Sequence, residues 1–149
     1  FTLVTERGIR DFAGLYTIDE ATTDILLRNA ATVVEYQCGG TGKGGKKGRE
    51  TFGGSPVPEF VRLMDAAAPT RPQLEAAVQT QFRLAVGRPA RADEVARFVG
   101  LYEACAADGD RPGAVQTMLQ AVLLKTDAMY RSEVGGGAGG RRLLAPDEL

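Results

Sequence analysis

The sequence predicts an all-α domain of orthogonal or bundle-like helices carrying one long Gly/Lys-rich loop. Apolar residues recur every three or four positions over most of the chain. No segment alternates long enough to read as a strand, and glycine is concentrated in two breaks between the periodic stretches. A length of 149 residues with 44% hydrophobic content suits one globular domain, burying roughly two-thirds of its unfolded surface.

The elements follow in order. Ile18-Asp19-Glu20 opens the first helix, with acids in the first turns as the helix dipole favours. Ala21, Ile25, Leu26 or Ala30, and Val33 or Val34 then share a face up to about Tyr36. Residues 37–57 break that period: eight glycines between Gly39 and Gly54, with Lys43, Lys46, Lys47 and Arg49, make a basic loop whose backbone is costly to order. Pro58 begins a short helix through Met64 that ends before Pro69. Thr70 and Gln73 have capping-box spacing, and Leu74, Val78, Phe82 and Ala85 line one face as far as Gly87. Residues 91–107 place Val95, Phe98, Tyr102 and Cys105 or Ala106 on a stripe closed by Gly109. The last helix follows Asp110-Arg111-Pro112-Gly113 and carries Val115, Met118, Leu119, Val122 and Leu123. Residues 1–134 therefore read as one domain and 135–142 as a glycine-rich linker. Residues 143–149, with Pro146 ahead of Asp147-Glu148, read as the opening of a following domain absent here. The first residue, Phe1, likewise suggests a piece of a longer chain.

Composition excludes several kinds of chemistry. Lys+Arg 18 against Asp+Glu 19 gives a formal charge of −1, so no global field draws nucleic acid or an anionic membrane. His 0 removes Ser-His-Asp and Cys-His catalysis, histidine-zinc sites and histidine-ligated haem from this chain. No apolar run approaches the roughly 20 residues that span a bilayer. Two cysteines, Cys38 and Cys105, are too few for a disulfide scaffold. They could form a single tether in an oxidising compartment, with Cys38, at the base of the loop, the more reactive thiol.

Gly40-Thr41-Gly42-Lys43-Gly44-Gly45-Lys46-Lys47 fits the first seven positions of a phosphate-binding loop, but Lys47 stands where a magnesium-binding hydroxyl belongs. Gly48, Gly53, Gly54, Pro56 and Pro58 also preclude the helix whose N-terminus should face the phosphate. The loop reads better as a solvated, partly disordered stretch or as a basic surface, with Lys43, Lys46, Lys47 and Arg49 facing a partner. Glu20 and Asp24 lie one turn apart, but with Arg28 a further turn on they read as an exposed, paired face and not as an acid/base couple. Asp93-Glu94 reads as first-turn acid at a helix start. No residue is assigned a catalytic or metal-binding role, and no cofactor is expected.

Phe82-Arg83-Leu84-Ala85-Val86-Gly87-Arg88-Pro89, followed by Asp93-Glu94-Val95-Ala96-Arg97-Phe98, resembles one signature of an uncharacterised helical domain. That domain occurs in large secreted proteins of planctomycetes and myxobacteria that also carry cytochrome c-like modules. Leu119-Gln120-Ala121-Val122-Leu123-Leu124 and Tyr130-Arg131-Ser132-Glu133 resemble its second signature. Lys125-Thr126-Asp127-Ala128-Met129 departs from the Ser-Pro and aromatic usual between the two. The resemblance implies a periplasmic or extracellular setting and a c-type cytochrome among the partners. It carries over no catalytic residue. Arg88, Tyr130 and Arg131 also have a structural reading, Arg131 additionally facing neighbouring domains. The expectation is a non-catalytic helical interaction or structural module of a larger secreted or periplasmic assembly. The alternative is part of a multidomain polysaccharide-related or redox enzyme whose active site lies mainly outside this segment.

Overall fold

The computed structural model describes residues 3–5, 8–10, 20–40 and 55–129. The chain is all-α. Among the described residues six helices follow one another: α1 (Glu20–Gln37), α2 (Pro58–Asp65), α3 (Arg71–Ala85), α4 (Ala92–Ala106), α5 (Arg111–Leu123) and α6 (Thr126–Met129). A short antiparallel hairpin precedes them, β1 (Leu3–Thr5) against β2 (Gly8–Arg10), with Val4 opposite Ile9. Three-residue strands are too short to show as alternation. Among the described residues no helix is long and apolar enough to cross a membrane.

Local chemistry sets the helix limits. Pro58 occupies the first turn of α2, where its missing N–H costs nothing. Gln73 reaches back to accept from the Thr70 backbone N–H at 2.8 Å, the expected half of a capping box. Asp110 caps α5 by accepting from the Gly113 N–H at 2.9 Å, so this helix starts at Arg111, three residues earlier than a start after Gly113. Gly87 and Gly109 have φ of 80° and 90°, the left-handed turns that end α3 and α4.

The core lies where α3, α4 and α5 meet, with α2 and the second half of α1 packed against them. Phe82 of α3 and Phe98 of α4 meet edge to face, ring centroids 5.5 Å apart. Leu74, Val78 and Phe82 are buried as expected, as are Val115, Met118, Leu119 and Val122. On α4 the buried set is Glu94, Phe98, Val99 and Tyr102, while Val95, Cys105 and Ala106 are only partly covered.

The largest departure is in α1. Its buried residues are Ala30 and Val34, whereas Ile25 and Leu27 are exposed and Ala21 faces solvent. At 18 residues α1 is roughly 27 Å long, while the 13-residue α5 it packs against is about 20 Å. The α1 apolar face therefore outruns the surface available to cover it.

Polar ties fix the layers. Thr80 donates to Glu59 at 2.6 Å, joining α3 to α2, and Arg111 reaches the Ala67 carbonyl at 2.9 Å. Gln81, fully buried, donates to the Gln37 side chain at 3.0 Å and toward the Leu119 carbonyl at 3.4 Å, so one amide touches α1, α3 and α5. Its Oε1 accepts no hydrogen bond.

Candidate functional site

The strongest concentration of polar interactions surrounds the turn from α3 to α4. The Val86 N–H closes α3 on the Phe82 carbonyl, Gly87 reverses the chain, and Arg88-Pro89-Ala90 leads to the start of α4. Gln79 clamps this turn from inside: its Nε2 donates to the Ala90 carbonyl and its Oε1 accepts from the Ala90 N–H, both at 2.9 Å. Both backbone polar groups of Ala90 are thus satisfied by one side chain.

Glu94 holds the other side. It is the third residue of α4, and its Oε2 accepts from the Arg91 backbone N–H at 2.9 Å. The same carboxylate receives a two-pronged bond from Arg88, Nη1 to Oε2 at 2.7 Å and Nη2 to Oε1 at 2.9 Å. Arg91 Nη2 and Lys125 Nζ approach Oε1 at 3.2 and 3.3 Å. The Arg88 guanidinium also bonds the Pro89 carbonyl and lies over the Phe82 ring, 5.5 Å from its centroid. Asp127 of α6 completes the cluster, accepting from Arg88 Nη2 at 3.1 Å and Lys125 Nζ at 3.0 Å.

These charges stabilise one another. The Arg88 hydrogen bonds, opposed by burial, hold the Glu94 carboxyl down at about 2. Bonding to Glu94 raises the Arg88 guanidinium above its usual value despite burial, and Lys125 and Arg88 lower Asp127. A carboxylate held ionised this far below neutrality, with both oxygens engaged by cationic donors, is a weak base and carries no proton to donate at pH 7. Among the described residues no group of three or more His, Cys, Asp or Glu is placed to hold a metal ion.

The residues singled out by sequence are placed as follows. Lys43, Lys46, Lys47, Arg49 and Arg131 lie outside the described residues, as do Tyr130, most of the loop, and residues 135–149. Asp24 turns to Arg28, Oδ2 to Nη2 at 2.6 Å, on an exposed face and not to Glu20. Cys38 and Cys105 are free thiols, without the tether they could form in an oxidising compartment. Cys38 lies beside Gln37, whose side chain meets Gln81 late in α3. Cys105 belongs to the end of α4, which returns to the start of α3 where Arg71 faces Glu103. With the thiols toward opposite ends of one helix, bridging would need backbone movement. Burial in the core pushes the Cys38 thiol up to about 11 and works against the reactivity expected of it at the base of the loop.

Sequence reasoning gave Arg88 a structural role and Glu94 a helix-start role but did not join them, and it gave Asp127 and Lys125 no role. One signal was available. Glu94 lies one turn before Phe98 and two before Tyr102, on the extension of the buried stripe, where a carboxylate requires cationic partners. No protein-family model, curated protein or solved structure matches this chain.

Proposed function

We propose that this chain is a non-catalytic helical module that joins other domains or subunits of a larger secreted or periplasmic assembly, with a c-type cytochrome among its partners. The observation that carries the non-catalytic part is the closure of the Arg88–Glu94–Lys125–Asp127 cluster. Its carboxylates are bonded by cations of the same chain and are not held in a state useful for proton transfer. A group this firmly ionised serves position and not turnover. The secreted setting and the cytochrome rest on the resemblance of the two signatures around Arg88-Pro89 and Tyr130-Arg131.

Size-exclusion of the native protein, with the haem absorbance band recorded and co-eluting chains identified by mass spectrometry, tests the reading. Elution as a particle well above 15.8 kDa with haem and further chains is the expected result. Elution alone at monomer size, without haem, would remove the assembly. Reversing the charge of Lys43, Lys46 and Lys47 together should weaken partner binding at low salt. Unchanged affinity would take the basic loop out of the interface.

A further inference from the structure

The ion-pair cluster is uneven, and the unevenness follows the chain. Side-chain exposure rises from 3% at Glu94 to 15% at Arg88, 24% at Lys125 and 46% at Asp127. The inner half, Arg88 with Glu94, is two-pronged, buried, and tied to the α4 backbone through the Arg91 N–H. The outer half, Asp127 with Arg88 and Lys125, is half in water. Asp127 is nevertheless the side chain that ties α6, a four-residue helix with no fully buried residue and with Ala128 and Met129 half-buried, to the α3–α4 turn. The Ala128 and Met129 N–H groups bond only as far back as the Lys125 carbonyl, so they give α6 internal shape and no hold on the body.

We infer that this cluster is a two-stage clasp: Arg88–Glu94 is its fixed half, and Asp127 is a releasable bar that docks α6 against the α3–α4 turn. Exposed ion pairs are screened by salt and by competing ions, whereas buried two-pronged ones are screened much less. Release of the bar therefore leaves the α3–α4 turn assembled. The opening is local and frees only the end of the domain.

Backbone amide hydrogen exchange by NMR on the full 149-residue chain tests this. Asp127→Asn should lower the protection of the Ala128 and Met129 amides by about fivefold, the size of one exposed ion pair. The Arg91, Leu119 and Val122 amides should not change. Raising the salt on the unsubstituted protein should give the same selective loss. In an Arg88→Met background, Asp127→Asn should change the two amides less than about twofold. Unchanged protection in Asp127→Asn would overturn the clasp. So would a parallel fall across the core amides, or an undiminished effect in the Arg88→Met background, which would reduce Asp127 to a local helix-end charge.

Discussion

Glu94 illustrates how a single residue can serve several local needs at once. It closes the first turn of α4, neutralises the Arg88 guanidinium over Phe82, and receives Lys125 from beyond α5. Its carboxyl ordinarily titrates near 4.5 and is held at about 2 in the folded protein. A depressed folded-state value contributes stability that is complete above the unfolded value and disappears as pH falls from about 4.5 toward 2. By linkage the contribution is roughly 3 kcal/mol at neutral pH. Urea unfolding of the parent chain should therefore weaken steeply over that acid window. Glu94→Gln leaves the part-buried Arg88 with only the half-exposed Asp127 as counter-charge and should cost about 3 kcal/mol at pH 7, with a much flatter acid limb. An acid limb parallel to the parent's would move the effect to other carboxylates. Gln81 was less legible. It lies three residues after Val78 and seven after Leu74, so helical spacing alone puts it in the core. Reading an amide as surface is the usual choice, and only the meeting of α1, α3 and α5 gives it partners.

At the scale of the element, helix starts and stops were the most legible feature because they depend on chemistry a few residues wide. Pro58, the Thr70–Gln73 pair, Gly87 and Gly109 each act where the sequence placed them, whereas Asp110 caps α5 ahead of its expected start. Asp110→Ala should lower stability by about 1 kcal/mol, seen as a shift in urea midpoint at constant slope, because it frees one N–H at the start of α5. The face each helix presents was less legible. Periodicity shows that an apolar face exists but not how far a neighbour extends along it, which is why Ile25 was expected inside and lies outside. On α4 Phe98 and Tyr102 are buried as expected, but the stripe is broadened, with Glu94 and Val99 buried ahead of Val95, because α3 and α5 both pack on this helix. The Arg88–Glu94–Asp127 constellation escaped for a related reason. Arg88 and Asp127 are 39 residues apart, and only the return of α5 alongside α4 brings them together.

For the whole molecule, the class was legible because nearly every periodic segment carries the helical repeat and its own punctuation. The order in which these helices come together follows from a smaller feature, the hold of Gln79 on Ala90. The two are 11 residues apart, and Arg88 and Glu94 only six. Closing so short a segment takes on the order of 10–100 ns, and little chain entropy stands against it. The α3–α4 hairpin can therefore assemble before distant parts of the chain arrive. α1 is in the opposite position, because its tie through Gln37 to Gln81 closes a segment of 44 residues containing the glycine-rich stretch. Gln79→Met should accordingly slow refolding in stopped-flow measurements, with a φ-value near or above 0.5, whereas Val34→Ala should mainly speed unfolding. Under this order, nascent chain carrying α1 waits for both α3 and α5 before its inner face is fully covered, and for that interval Ala30 and Val34 are what a chaperone or a neighbouring chain would meet.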